Sequence, residues 1–117
     1  MMTVVNLTAH PVSVFVDGKI VATFVPSGRV GRLREVTVRL GPLLTNDGAI
    51  PLTAVRYSDD VDDLPDPGSG VVYLVSRVLA AAVARADLVF PADEVRDASG
   101  RILGCRSLGS FAGDIGA

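Results

Sequence analysis

The sequence holds no tryptophan, one cysteine, one histidine and one lysine in 117 residues, and aromatic side chains make up only 5% of it. Each shortage closes off a class of protein. With Cys105 alone, an intramolecular disulfide is impossible, and one Cys plus one His cannot complete a zinc site unless subunits share it. Scarce aromatics offer little stacking surface to single-stranded nucleic acid. A net charge of −2 and a pI near 5.2 leave no overall basic field, which non-specific DNA binding needs in order to release counterions. The longest apolar run, Val78 to Ala84, is far too short to span a bilayer. Met1-Met2-Thr3-Val4 lacks the basic region and apolar core of a signal peptide, so a cytoplasmic, reducing compartment is expected.

What the chain does have is Val, Leu and Ala: apolar residues reach 49%. A chain of this length and composition suits one domain with a single core, here expected over residues 1–108, with a loose, small-residue tail at 109–117. Ten of the eleven basic residues are arginine. Arginine offers a planar, bidentate fork to phosphate or carboxylate, although a GC-rich genome produces the same bias.

Periodicity predicts mostly strands. Thr3–Leu7 reads as a short strand, and Val12–Val16 and Lys19–Val25 flank Asp17-Gly18, a two-residue hairpin turn in which both residues tolerate positive φ. Arg29–Leu40 alternates, with a bulge at Gly31, and Leu52–Tyr57 follows a loop over Gly41–Pro51. Asp59–Gly70 carries five aspartates with Pro65 and Pro67 and reads as a solvated loop; its spacing does not fit an EF-hand. Val71–Val75 is apolar throughout, as in a strand buried on both faces. Ser76 is an N-cap for a helix over Arg77–Ala86, with Val78, Leu79, Ala82, Val83 and Ala86 as its apolar stripe. Leu88–Pro91 is a short extended segment, Asp97–Arg101 a turn and Ile102–Leu108 the last strand. The expected fold is therefore α+β: a mainly antiparallel sheet, an N-terminal hairpin and one main helix packed on the sheet.

No catalytic signature is present. There is no Gly-x-Ser-x-Gly elbow around Ser76 or Ser107, and His10, followed by Pro11 in a turn, has no local nucleophile. Pro26-Ser27-Gly28-Arg29 and Ser99-Gly100-Arg101 place Gly before Arg but are not Walker loops. No metal site and no cofactor are expected.

Two features suit an anion. In Val75-Ser76-Arg77 a buried strand runs straight into a helix start, where free amides, the Ser76 hydroxyl and the Arg77 guanidinium favour negative charge; a plain N-cap beside a solvent-facing arginine is the alternative. Near the chain's end, Arg96, Arg101 and Arg106-Ser107 flank one turn and one strand. Arg106 lies in an otherwise apolar strand and needs a partner: Asp93, Glu94, Asp97 or a ligand's phosphate. Gly104 beside it permits close approach of a ligand or another backbone. Combined, Ser76, Arg77, Arg101, Arg106, Ser107 and Arg29 form the candidate lining of one anionic pocket, with Tyr73 or Phe90 as a face for a base.

Three stretches carry a resemblance: Asn6-Leu7-Thr8-Ala9-His10-Pro11, Val72-Tyr73-Leu74-Val75-Ser76-Arg77, and Arg96-Asp97-Ala98-Ser99-Gly100-Arg101-Ile102-Leu103-Gly104-Cys105-Arg106-Ser107-Leu108. Over residues 4–108 the chain resembles a family of small proteins common in phages, prophages and actinobacterial genomes. It is similar to phage anti-defence sponge proteins of the first Thoeris anti-defence type, although Ala9 stands where the first motif usually has Pro. The resemblance implies a homo-oligomer that sequesters a cyclic ADP-ribose isomer or a cyclic oligonucleotide without cleaving it, in the host cytoplasm if phage-encoded. The partner expected is thus a small anionic nucleotide, not DNA and not a membrane. Two other functions stay open: a small nucleotide or phosphoester hydrolase, and a phage structural or protein-interaction component.

Overall fold

The structure is a computed structural model in which residues 1–112 are described. It is mostly β. Ten strands surround a single helical turn and a half: β1 (Thr3–Asn6), β2 (Val12–Val16), β3 (Lys19–Phe24), β4 (Arg32–Arg39), β5 (Leu43–Thr45), β6 (Gly48–Ile50), β7 (Thr53–Asp62), β8 (Val71–Leu74), α1 (Arg77–Ala82), β9 (Leu88–Arg96) and β10 (Ile102–Gly109). The expected α+β fold with one main helix is overturned. The helix has six residues instead of the ten read from Arg77–Ala86, and the extended segment after it grows into the nine-residue β9.

The helix fails for a local reason. Val83 leaves helical geometry as the C-cap, its amide closing on the Leu79 carbonyl, and Asp87 is drawn away to pair with Arg85. The buried stripe also differs from the expected one: Leu79 and Ala80 face the core, whereas Val78 is exposed.

Six strands form one sheet in the order β1-β8-β9-β10-β2-β3. The expected antiparallel arrangement is corrected here too. β1 runs parallel to β8, β8 to β9 and β10 to β2; only β9–β10 and β2–β3 are antiparallel. The β8–β9 crossover, which carries α1, is about as short as a parallel connection can be, roughly a dozen residues. The N-terminal hairpin stands as expected, with Asp17 and Gly18 both at positive φ.

The sheet curls until its two ends meet, through a parallel bridge between Asn6 and Pro26. Asn6 is the clasp. It is 2% exposed, and its side chain makes every hydrogen bond an amide can make. Nδ2 donates to the carbonyls of His10 (2.9 Å) and Phe24 (2.8 Å), while Oδ1 accepts from the Thr8 amide (2.8 Å) and hydroxyl (2.7 Å). The Asn6 carbonyl then receives the Ser27 amide at 2.9 Å. The stretch from Asn6 to His10 is therefore a closure device, in which His10 contributes its backbone. Gly104 serves the same curl: a Cβ there would lie 2.4 Å from the Ser13 carbonyl oxygen, so only glycine lets β10 approach β2.

Apolar residues pack on both faces of the sheet. One cluster gathers Leu7, Tyr73, Val75, Leu79, Ala80, Leu88 and Phe90; the other gathers Val72, Leu74 and Val89. The two-sided burial expected of Val71–Val75 is seen in both clusters.

From this body projects an arm. β4 and β7 pair antiparallel from Arg32↔Asp62 to Arg39↔Thr53, and the small β5–β6 hairpin sits at the far end. β7 extends through Asp62, so the first part of the acidic segment is strand and not loop; Arg34 binds Asp62 at 2.9 Å. The loop expected over Gly41–Pro51 is likewise the β5–β6 hairpin. The long axis of the molecule is 55 Å, double the shortest at 27 Å. At the other end of the chain, Gly109 closes β10 and Phe111 stacks on Phe90 (ring centroids 4.7 Å apart), so the loose tail expected from residue 109 is packed at its start. Its remainder, 113–117, lies outside the described residues.

Candidate functional site

The arm's root, the end of β8 and α1 enclose a groove. β8 delivers Ser76 and Arg77 at its carboxyl end, where β1 also ends and Thr8 follows. The arm approaches from the other side with Arg32, Glu35 and Tyr57, the last two opposite each other on the ladder. One cavity of about 380 Å³ is lined by Thr8, Arg32, Glu35, Tyr57, Ser76 and Val78 among others. A second of about 410 Å³ is lined by Tyr57, Arg77, Val78, Ala81, Ala82 and Phe111. A third, beside Leu33, Ser58 and Val83, again includes Tyr57. Tyr57 is thus common to all three, and it is exposed.

The groove mixes guanidinium groups with exposed rings. The Arg77 guanidinium carbon lies 5.1 Å from the centre of the Phe90 ring and 5.6 Å from that of Phe111, within cation–π range of both. Among the described residues Arg77 makes no ion pair with a carboxylate. Arg32 has no carboxylate partner among the described residues. The Ser76 hydroxyl accepts the Leu79 amide at 3.2 Å, the capping bond expected of it.

The other expected site residues go elsewhere, and the structure does not bring them into one pocket. Arg106 binds Asp93 (3.3 Å) and the Glu94 carbonyl (3.3 Å), and lines a separate cavity with Phe15, Asp17, Gly18 and Val95. Arg101 belongs to a turn that satisfies itself: Asp97 Oδ1 accepts from the Ser99 amide (2.9 Å), the Ser99 hydroxyl (2.6 Å) and the Arg101 amide (3.0 Å). Those donors hold the Asp97 carboxyl below the usual range, the Ser99 hydroxyl foremost. Arg96 closes the same turn on the Gly100 carbonyl (2.7 Å) and Glu94 (2.6 Å). Ser107 is exposed on β10, in register with Ala92. Arg29 reaches Asp63 at 3.6 Å. Tyr73 is buried, its hydroxyl directed to the Asp66 carbonyl at 3.4 Å and its ring 5.9 Å from the Arg85 guanidinium carbon. Phe90 is buried and serves as the platform under Arg77 and Phe111.

Arg85 makes the tightest ion pair, two-pronged on Asp87 (2.9 and 2.5 Å), and donates to the Pro65 carbonyl at 2.9 Å. Its pKa is raised, chiefly by the Asp87 hydrogen bond. Cys105 is fully buried, and desolvation pushes its thiol up. Neither lines the groove.

Tyr57, Arg32, Thr8 and Phe111 were not among the expected site residues. Tyr57 carried a faint signal as one of two tyrosines, on a strand with few apolar neighbours; the other three acquire their place only through the curl and the arm. No family model, no curated protein and no solved structure matches the chain. No helix among the described residues is long and apolar enough to cross a membrane.

Proposed function

We propose that this protein is a binding protein that holds an anionic nucleotide in the groove at the arm's root and, in line with the resemblance, sequesters a cyclic nucleotide immune signal without cleaving it. A cyclic ADP-ribose isomer or a cyclic oligonucleotide is the ligand class. The observation that supports the reading is the convergence of cavities on Tyr57, with Arg32, Ser76, Arg77 and Phe111 around them. Guanidinium forks suit a phosphate, and exposed aromatic faces suit a base.

Calorimetric titration with cyclic ADP-ribose isomers and cyclic dinucleotides tests it. Binding is expected, with the ligand recovered intact by mass spectrometry after the protein is denatured. Tyr57→Ala and Arg77→Ala should each weaken binding at least tenfold, and Arg106→Ala should leave it unchanged. Absence of binding across the panel, or recovery of cleavage products, overturns the proposal.

The projecting arm favours a second reading, a phage structural or protein-interaction component. On that reading the same nucleotide panel produces no thermal shift, while a protein partner does.

A further inference from the structure

The groove contains an acid that a phosphate repels. Glu35 is exposed and lines the cavity of Thr8, Arg32, Tyr57 and Ser76. Its carboxylate has neither a hydrogen bond nor an ion pair among the described residues. Most other acids are spoken for: Asp62, Asp63, Asp87, Asp93 and Glu94 each meet an arginine, and Asp97 is held by its own turn. Among the described residues, Glu35 is the only acidic one lining the three cavities around Tyr57.

Its position is set by the ladder. Arg32 and Glu35, three apart on β4, would point to opposite faces of a regular strand. The register shifts between Leu33 and Glu35, and both residues line the same cavity. Re-aiming a side chain in this way is what a bulge does. Glu35 then pairs directly with Tyr57. Cross-strand partners share a face, with Cβ atoms about 5 Å apart. Tyr57 is 48% exposed, so a base can stack on its ring, and a base seated there turns an edge toward the Glu35 carboxylate.

Stacking tolerates any base, so the edge contact decides which one is held. An ionised carboxylate only accepts hydrogen bonds. Guanine presents two adjacent donors, N1–H and the 2-amino group, which match two carboxylate oxygens. Adenine presents its 6-amino group beside N1, whose lone pair faces the carboxylate. Hydrogen bonds to an ionised acceptor are roughly twice as strong as neutral ones, and a site built for a donor rejects the analogue that lacks it.

We infer that Glu35 is the specificity-determining residue of the groove and selects guanine: the base stacks on Tyr57, its N1–H and 2-amino group donate to the carboxylate, and Arg32 takes a phosphate. This rests on the nucleotide reading above and narrows it. The ligand is a guanine-containing cyclic oligonucleotide, not a cyclic ADP-ribose isomer, whose base is adenine.

Calorimetric titration with cyclic di-GMP and cyclic di-AMP, which share one sugar–phosphate ring, tests it. Cyclic di-GMP should bind at least tenfold more tightly. Glu35→Gln replaces one acceptor with a donor, the pattern that complements adenine. The ratio of the two affinities should therefore fall at least tenfold, with an unchanged melting temperature. Reading the ratio cancels whatever the lost charge does to both polyanions. Arg32→Ala should weaken both ligands and leave the ratio intact. Equal affinities, tighter binding of cyclic di-AMP, or a Glu35→Gln ratio equal to that of the unaltered protein overturns the inference. Binding of a cyclic ADP-ribose isomer or cyclic di-AMP with cyclic di-GMP rejected refutes the guanine assignment alone. Rejection of every nucleotide refutes the groove's ligand reading together with it.

Discussion

The curled sheet and the arm are built from the same material and reach opposite ends. Both are rich in Val, Leu and Thr with strand periodicity, and both contain a ladder interrupted by a bulge. In the sheet the ends are brought together by Asn6, and two apolar clusters close over Leu74 and Leu79. In the arm the same alternation meets no second layer, and its valines face water. The difference teaches that propensity makes a strand but topology decides whether it is buried. Stability should accordingly reside in the body.

Substitutions can break that division, beginning where the effect is largest. Asn6→Ala removes four hydrogen bonds made by a buried side chain and takes a donor from the His10 and Phe24 carbonyls, so a loss of about 3 kcal/mol is expected, read from the urea midpoint. Gly104→Ala forces β10 off β2 and should cost about 2–3 kcal/mol by the same measurement. Arg85→Ala leaves Asp87 and the Pro65 carbonyl without their partner; since the pair is partly exposed, about 2 kcal/mol is expected. Val55→Thr, on the arm, should change stability by less than about 0.5 kcal/mol. If Val55→Thr proved as damaging as Asn6→Ala, the arm would have to be part of the cooperative unit.

A pH titration sharpens the comparison at its gentlest point. The folded state holds the Asp97 carboxyl below its ordinary pKa. The unfolded state therefore takes up the proton first, so the stabilisation is complete above the unfolded carboxyl's pKa of about 3.9 and is lost as pH falls through the lower folded value. Asp97→Asn should flatten stability against pH in that acidic window by lowering stability at neutral pH, with the acid end little changed. A profile identical to the unaltered protein's would show that the turn does not depend on the charge.

The fold was legible in the sequence wherever a signal was local. Asp17-Gly18 with its flanking alternation specified the β2–β3 hairpin, and the unbroken Val71–Val75 run marked the buried central strand. Ser76 was readable as an N-cap for the same reason. What could not be read was long-range: that β1 pairs with β8 and that β10 runs parallel to β2. The early end of α1 at Val83 is local, but the apolar stripe through Ala86 concealed it. At the site, Ser76 and Arg77 were found because a strand-to-helix junction is a sequence feature. Tyr57, Arg32 and Phe111 arrive from three distant stretches that meet only after the sheet curls. Arg106 was read as needing a carboxylate or a ligand, and the β9–β10 ladder supplies Asp93; Arg101 is tied to Asp97 through its backbone amide alone.

The pairing of β1 with β8 also sets an order of events at the ribosome. Residues 3–6 emerge first but must wait for residues 71–74 before their edge is satisfied. Meanwhile the β2–β3 and β4–β7 ladders can zip from their own turns. Contacts so far apart in the chain slow the search for the native state. Closure of the sheet, which needs both ends of the chain, is therefore the late event, and the hairpins that precede it are local.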